Sequence, residues 1–456
     1  MKYAALLQFA LIVLVAACAG QSPHSALPSN GAAAGQPSLR RGSSTSPITH
    51  VIIILQENRT PDDLFQGMAP HGADIATQAL DSEGQIVDLR RRSLATSFDL
   101  GHGHSSYTDD CDFQPSGVCK MDGFDKNLEH RYHMRPFSYA PQSEVQPYLD
   151  MAVQYVFADR MFQSNQAGSF PAHQYIVSGT ADGLPVTSDN VSSDPFNSVT
   201  GAKVPAGCDA PAQAAVDTID PANGYPGPTP FPCFDRPVLS DLLDQYGFTW
   251  RYYQRGLGAG LWHALDAVSH VRYGSDYKYV VTPPEKILTD ITHKRLRNVS
   301  WVMPADGPHS DHAGNNSAAG PSWVAAIVNT LGSSIYWKHT AIFLTWDDWG
   351  GWYDHVSPPQ MGNYYELGFR VPLVVISPYA KAGYVSHTQY EFGSILAFTE
   401  ETFGIPKGAL GTTDVRANDL MDAFDFAQTP RPYVQISAPP FVPAQSGTKG
   451  FAAEDP

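Results

Sequence analysis

One continuous apolar run, His50–Leu55, constrains the fold of this chain more than any other feature of its sequence. Successive side chains of a strand point to opposite faces of its sheet, so a strand without polar alternation is buried on both faces. Such burial is typical of parallel sheets covered by helices. Further strands are predicted at Phe248–Tyr253, Val299–Met303, Ala341–Trp346 and Val371–Ser377.

Helical spacing of apolar residues alternates with these strands. It is found at Glu144–Tyr155, Val238–Tyr246, Trp323–Leu331 and Ser394–Phe403. The alternation predicts an α/β fold, a sheet sandwiched between helices, over residues 48–427. Residues 186–232 interrupt the rhythm with Pro, Gly, Asn and Ser, which predicts a loop-rich insertion forming a rim or cap over a site. The Pro-rich residues 428–456 predict an irregular tail.

The N-terminal segment is typical of an export signal. Lys2 supplies a positive charge, Leu6–Val15 is apolar, and small residues precede Cys18. This pattern predicts a lipoprotein signal over residues 1–18, with Cys18 lipidated and anchored in a membrane. An ordinary secretory signal is the alternative, and both predict export to the cell envelope, the periplasm or the medium. Residues 19–47, rich in Gly, Ser, Pro and Ala, predict a disordered tether.

Four further cysteines, Cys111, Cys119, Cys208 and Cys233, predict two disulfide bonds in an exported chain. Pairing each cysteine with its near neighbour would close two loops rich in Gly and Pro, although four cysteines allow about three connectivities. The net charge of −16 argues against a nucleic-acid partner, since phosphate backbones require clustered Lys and Arg. It leaves small phosphate esters open, because a bound metal can reverse the field inside one pocket.

Acidic and amide side chains directly follow two of the predicted strands. Glu57 and Asn58 follow the first strand, and Asp347 and Asp348 follow Ala341–Trp346. Ligands of open parallel sheets bind at the carboxyl ends of the strands, where these side chains would meet. Their oxygens suit one divalent metal ion. The alternative for either pair alone is a turn cap or a solvated loop acid.

Ser169 precedes a predicted helix, Ala172–Val177, and would lie at its N-terminus, where N–H groups and the helix dipole favour an anion. A metal and these N–H groups would help its hydroxyl to ionise and attack phosphorus. The alternative is a plain N-cap serine. His102 and His312 lie in polar or Gly-rich segments and are candidates to hold phosphate oxygens or protonate a leaving group.

Taken together, these segments resemble a bacterial phosphoesterase family that contains phosphatidylcholine-type phospholipases C and acid phosphatases of the AcpA type. The resemblance rests on three motifs in order, Glu57–Gly67 (ENRTPDDLFQG), Gly168–Tyr175 (GSFPAHQY) and Thr345–Val356 (TWDDWGGWYDHV). The chain departs from the usual pattern at three places. Pro61 replaces an aromatic residue, Ala172-His173 replaces Asn-Arg, and Trp349 replaces a histidine.

The resemblance implies a fold similar to the alkaline phosphatase and sulfatase core and a site with assigned roles. Glu57, Asn58, Asp347 and Asp348 would hold one divalent metal ion, with the nucleophile Ser169 also bound to it. His102 and His312 would contact the phosphate or assist the leaving group. Asp354 and His355 would not bind the metal themselves but would orient the residues that do.

Two enzyme classes remain open from the sequence, a phospholipase C that releases diacylglycerol and a phosphatase that acts on soluble monoesters. A third interpretation is a catalytically inactive surface lipoprotein that binds a ligand. The five candidate metal-binding residues argue against inactivity, because drift would have damaged some of them.

Overall fold

The computed structural model describes residues 46–126, 134–184, 187–365 and 367–443. All of these residues belong to one compact unit. The predicted signal over residues 1–18 and nearly all of the predicted tether lie outside the described residues. No helix within the described ranges is long and apolar enough to cross a membrane.

An eight-stranded sheet forms the centre of the fold. Its strands are β1 (His50–Gln56), β2 (Val156–Ala158), β3 (Trp250–Tyr253), β4 (Val280–Val281), β5 (Val299–Val302), β6 (Thr340–Trp346), β7 (Leu373–Ile376) and β8 (Tyr384–Ser386). The spatial order is β4-β3-β5-β1-β6-β7-β2-β8. Strand β7 is antiparallel to both of its neighbours, and the other adjacent pairs are parallel. The sheet is therefore mixed.

The helices are α1 (Pro61–Leu64), α2 (His104–Cys111), α3 (Gln142–Gln154), α4 (Ser169–Ser178), α5 (Leu239–Gln245), α6 (Ser269–Arg272), α7 (Lys286–Thr292), α8 (Gly320–Gly332), α9 (Phe392–Thr402) and α10 (Thr413–Arg416). Helices cover both faces of the sheet, as strand β6 shows. Its Trp346 packs on Tyr148 of α3, while its Phe343, which points to the opposite face, packs on Phe398 of α9. The predicted α/β sandwich is therefore confirmed.

The five predicted strands and the predicted helices all form, with ends that differ from the prediction by no more than three residues. Strand β1 is buried from Val51 to Gln56, which explains its unbroken apolar run. The sequence missed the short sheet strands β2, β4 and β8, because two or three residues carry no readable periodicity.

Two disulfide bonds are present, Cys111–Cys119 and Cys208–Cys233, so each cysteine pairs with its near neighbour. Residues 187–232 contain short two-stranded ribbons joined by loops, Asn190–Val191 with Thr218–Ile219 and Phe196–Asn197 with Ala214–Ala215. The described part of the tail has no helix or strand, but it is not detached from the core. Phe441 packs on Trp323 of α8, and Ile436 is buried.

Candidate active site

The site lies at the carboxyl ends of strands β1 and β6, which pair in parallel with Gln56 opposite Trp346. This register places the next residues of the two strands, Glu57 and Asp347, side by side at the same edge of the sheet. Glu57, Asn58, Asp347 and Asp348 are all fully buried. Buried carboxylates are costly unless they are paired with protons, cations or hydrogen bonds, so this concentration of acid requires a positive partner.

Asn58 joins the two acidic pairs. Its backbone is left-handed, with φ of 63°, and its N–H donates to Asp347 Oδ1 at 3.1 Å. One end of its side-chain amide lies 3.1 Å from both Asp347 Oδ1 and Glu57 Oε2, and the other end lies 2.9 Å from His102 Nε2. With its NH2 group toward the carboxylates the amide donates to both of them, whereas a divalent cation at this place would be bound by the amide oxygen together with the two carboxylates. The donor set therefore fits a divalent metal ion.

Glycine at position 350 permits this close packing. A Cβ atom at Gly350 would lie 2.3 Å from the carbonyl oxygen of Asn58, and its φ of 62° disfavours any other residue. The N–H of Gly350 donates to Asp348 Oδ1 at 2.7 Å. Any side chain at this position would push the two acidic segments apart.

Ser169 is the first residue of helix α4, which begins after the N-cap residue Gly168. The hydroxyl of Ser169 donates to Asp348 Oδ2 at 3.1 Å, across the site rather than back to its own helix. The alternative of a plain N-cap serine is therefore wrong. The structure brings Ser169 together with the acidic residues that follow β1 and β6.

His173 lies in this site, and the sequence interpretation gave it no role. It is fully buried on α4, one turn after Ser169, with Nε2 3.1 Å from Glu57 Oε1 and 3.6 Å from Asp347 Oδ2. Within the described ranges, Asp347 Oδ2 is a buried oxygen without a hydrogen-bond partner, and such an oxygen fits the role of a metal ligand. The i, i+4 spacing from Ser169 was the available signal, because it places both side chains on one helix face.

The electrostatics of the acidic cluster also favour a cation. Burial and the neighbouring charge of Asp347 raise the pKa of Glu57 well above its ordinary value. Burial acts to raise the pKa of Asp347, but the neighbouring His173 imidazole outweighs it and holds that pKa at about 2. Without metal, Glu57 therefore favours a proton, which a metal ion bound here would displace.

His102 and His312 lie beside the cluster, with ring centroids 5.7 Å apart. Their Nδ1 atoms are hydrogen-bonded to backbone carbonyls, His102 to Leu100 at 2.6 Å and His312 to Ala313. A donating Nδ1–H leaves Nε2 as the second hydrogen-bonding nitrogen of the ring, and in His102 this Nε2 contacts the Asn58 amide at 2.9 Å. Both rings thus adjoin the acidic cluster, and their contact with a phosphoryl group stays a prediction.

Trp349 occupies the position at which the resemblance implies a histidine. Its indole N–H donates to Asp110 Oδ2 at 3.1 Å, and its buried ring packs against Phe369 and the edge of His102. It thus supports the His102 ring through packing and offers no metal ligand.

Asp354 and His355 do not orient the metal ligands through the hydrogen bonds they make, which corrects that expectation. Asp354 forms an ion pair with the fully buried Arg370 at 2.8 Å, and His355 bonds to Asp62 and Asp74 at 2.7 and 2.9 Å. Arg370 also lies 3.3 Å from Asp62. This network connects the segment after β1 to the segment after β6. It thereby stabilises the relative position of the two acidic pairs from outside the acidic cluster.

We expect His355 to make stability depend on pH. Burial acts to lower the pKa of His355, but the hydrogen bond and charge of Asp62 raise it to about 9. A raised pKa contributes stability that is complete below about pH 6.5 and is lost as pH rises through 9. His355→Gln should lower the free energy of unfolding by on the order of 2 kcal/mol at pH 7, after discounting for partial exposure. Urea denaturation should show this difference vanish near pH 10, and a difference independent of pH would contradict the assignment.

A cavity of about 1340 Å³ opens beside the cluster. Asp99, Leu100 and His102 line one side of it. The loop-rich insertion lines the other side through Ser192–Phe196, Lys203, Asp217–Ile219 and Gly224. The insertion therefore forms a wall of the cavity next to the N-terminus of α4.

We expect His173→Gln to weaken divalent metal binding about 10- to 100-fold, the usual effect of removing a residue that orients metal ligands. The substitution removes the imidazole that contacts Glu57 and Asp347 and leaves Ser169 in place. Isothermal titration of metal-free protein measures the affinity. His104→Gln is the matched control, since His104 bonds to the carbonyl of Gln166 instead. Equal affinities in the two variants would contradict the role given to His173.

Comparison with known proteins finds one matching family, two relatives and one similar solved structure. The Phosphoesterase family matches residues 48–406 of this chain. Phospholipase C A of Mycobacterium tuberculosis is 25% identical over 442 residues, which cover 84% of this chain and 78% of that protein. Non-specific phospholipase C1 of Arabidopsis thaliana is 24% identical over 449 residues, covering 87% and 75%. A solved alkaline phosphatase superfamily protein from Vibrio parahaemolyticus matches 84% of this chain and 71% of its own, with 12% identity and a TM-score of 0.37.

Proposed function

The chain belongs to the phosphoesterase family and is a hydrolase of phosphoric ester bonds, and we propose that Ser169 is its nucleophile. The observation that carries this proposal is the hydrogen bond of 3.1 Å from the Ser169 hydroxyl to Asp348 Oδ2. It places a helix N-terminal serine against a buried cluster of acidic oxygens. A serine hydroxyl needs such an activating environment, because it is a weak nucleophile at its ordinary pKa.

The residues present fit one divalent metal ion. Glu57, Asn58, Asp347 and Asp348 would hold it through side-chain oxygens, with the Ser169 hydroxyl completing the set. Such an ion would lower the pKa of the serine hydroxyl and offset charge on the phosphoryl oxygens. His173 positions Glu57 and Asp347 from the other side of the cluster.

The reaction proceeds in two displacements at phosphorus. Asp348 Oδ2, which accepts the hydrogen bond of the Ser169 hydroxyl, takes its proton as Ser169 Oγ bonds to phosphorus and the bond to the leaving alcohol breaks. His102 or His312, when protonated, gives the leaving oxygen its proton. Water then attacks phosphorus and gives a proton to that imidazole, the bond to Ser169 Oγ breaks, and Asp348 returns the proton to the serine. The intermediate is a phosphorylated Ser169, or a phosphodiester of Ser169 when the substrate is itself a diester.

Trapping this intermediate tests the mechanism directly. Full-length protein with added divalent metal is mixed with an aryl phosphate ester and quenched in acid during the first turnover. Peptide mass spectrometry should find the phosphoryl group on Ser169. A burst of aryl alcohol with the phosphoryl adduct on another residue would contradict the proposal. Steady turnover without any phosphorylated peptide would contradict it as well.

The substrate we propose is a phosphodiester of the phospholipid class, cleaved to release diacylglycerol. The relatives named phospholipase C support this class. Hydrolysis of small phosphomonoesters is the alternative, and the two are separated by kcat/KM for a choline-headgroup diester against a simple aryl phosphate. A preference for the monoester would assign the chain to the phosphatases.

We also propose that the protein is exported and anchored through a lipid on Cys18. The two disulfide bonds support export, since such bonds persist in oxidising compartments. Cys18 lies outside the described residues. Cys18→Ala should move the protein from the membrane fraction to the soluble fraction of the producing cells, and membrane association that survives this change would rule out the anchor.

A further inference from the structure

An acidic residue of the insertion lies directly beside the proposed nucleophile. One oxygen of Asp194 accepts a hydrogen bond of 2.9 Å from the N–H of Phe170, the residue after Ser169. Its other oxygen lies next to Gly168, the residue before Ser169, where an added Cβ atom would approach it to 3.2 Å. The same Cβ would lie 3.5 Å from His102 Cδ2, so Asp194, Gly168 and His102 border one small space.

This position is unusual for a phosphate-binding site. The free N–H groups of a helix N-terminus ordinarily attract phosphoryl oxygens. At the start of α4, the carboxylate of Asp194 already holds the N–H of Phe170. A phosphoryl group bound at Ser169 therefore lies beside a negative charge instead of a free N–H donor. The resulting repulsion weakens binding most for a substrate whose phosphoryl group carries two negative charges.

The charge of the substrate decides how strongly Asp194 discriminates. The carboxylates of Glu57, Asp347 and Asp348 would be offset by one divalent cation and by the neighbouring His173 imidazole, and Asp194 places a further carboxylate beside Ser169. Arg135 and Lys203 also line the cavity, but the Arg135 guanidinium lies on the Phe98 ring, 3.9 Å from its centroid, rather than at Ser169. A dianionic monoester adds two more negative charges, whereas a diester that carries a cationic alcohol adds none in total.

We infer that Asp194 determines substrate specificity, selecting phosphodiesters with a cationic alcohol and rejecting dianionic phosphomonoesters. The inference rests on the proposed function and deepens it. It assigns a role to the loop-rich insertion, which delivers this carboxylate to the cavity. An added Cβ atom at residue 168 would contact both Asp194 and His102, at 3.2 and 3.5 Å, so the space that these residues border is narrow.

The test compares Asp194→Asn with the wild-type protein on three aryl esters, in the presence of divalent metal. The substrates are p-nitrophenyl phosphorylcholine, methyl p-nitrophenyl phosphate and p-nitrophenyl phosphate. Asparagine keeps an oxygen that can accept from the Phe170 N–H, so the helix start is preserved. We expect kcat/KM to fall about 10-fold for the choline diester and to rise about 10-fold for the monoester, with a small change for the methyl diester.

Matched variants separate this role from a structural one. Asp217→Asn removes an equal charge from the same cavity wall, but Asp217 bonds through its backbone to Ser192 and Ser193 rather than to α4. We expect it to change the diester-to-monoester ratio by no more than about 2-fold. Asp194→Ser is a second neutral variant should the asparagine variant fold poorly.

The outcomes are distinct. An equal change for all three substrates in Asp194→Asn, or an equal shift of the ratio in Asp217→Asn, overturns the specificity role while leaving the proposed function intact. Wild-type protein that hydrolyses none of the three substrates overturns the proposed function, and this inference falls with it. The inference is supported if the diester-to-monoester ratio of kcat/KM shifts by about 100-fold in the Asp194 variants and not in Asp217→Asn.

Discussion

Ser169→Ala should lower kcat by at least about four orders of magnitude, because loss of a nucleophile removes the covalent route altogether. The hydroxyl makes its hydrogen bond to Asp348 and fills a fully buried position. Its removal should lower the free energy of unfolding by only about 1 kcal/mol, the net contribution of one hydrogen bond. Steady-state kinetics on an aryl phosphodiester, together with a thermal melt of the same sample, measures both quantities.

Two variants serve as controls for this result. Ser178→Ala changes a buried serine of the same helix whose hydroxyl bonds to the carbonyls of Gln174 and Thr180, so activity should remain within a factor of a few. Ser169→Thr keeps a hydroxyl at the nucleophile position and should retain part of the activity. Turnover that survives Ser169→Ala at wild-type rates would remove the proposed mechanism, whatever the state of the metal.

Complete removal of divalent metal should lower turnover at least about 100-fold and lower the melting temperature by a few degrees. Without a cation, the carboxylates of Glu57 and Asp347 lie fully buried at the ends of two strands, each 3.1 Å from the same atom of the Asn58 amide. The protein must then protonate Glu57 or tolerate their repulsion. Chelation followed by elemental analysis establishes the metal-free state, and titration with Mg²⁺, Mn²⁺, Ca²⁺ and Zn²⁺ should restore both activity and melting temperature.

Asp347→Asn provides an independent check on the metal. Removal of one carboxylate should weaken metal affinity and lower activity, and excess metal should recover part of the activity. Asp354→Asn, in the ion pair with Arg370, is the contrasting variant, since it should destabilise the fold without a comparable loss of metal affinity. Metal-free protein of verified composition that turns over normally would show that the carboxylates serve another purpose.

Several parts of the site could be predicted because they depend on local chain patterns. The apolar run of β1 and the apolar run of β6 predict buried strands, and the residues that follow them must lie at a sheet edge. Glu57 and Asp347 could thus be placed together from strand ends alone. Ser169 could be placed at a helix N-terminus because Pro171 is typical of the first turn of a helix, and α4 does begin at Ser169.

Other parts depend on contacts between distant segments. The role of His173 follows only once α4 is seen to turn the face that carries Ser169 toward the end of β1. Asp194 lies in a loop without periodicity, and nothing in the neighbouring sequence indicates that its carboxylate reaches Phe170. Asp354 and His355 follow the acidic pair by a few residues, yet their side chains turn to Arg370, Asp62 and Asp74.

The amino-acid sequence by itself determined the sheet, the covering helices and the chemical types that meet at the strand ends, because burial and periodicity act over a few residues at a time. The tertiary structure alone decided which side chains share one space. The 3.1 Å approach of Asn58 to two carboxylates depends on the parallel register of β1 with β6. The Asp194 carboxylate at the start of α4 depends on the path of the insertion. These contacts, at 3.1 and 2.9 Å, depend on how separate segments of the chain pack together, and no local pattern encodes such distances.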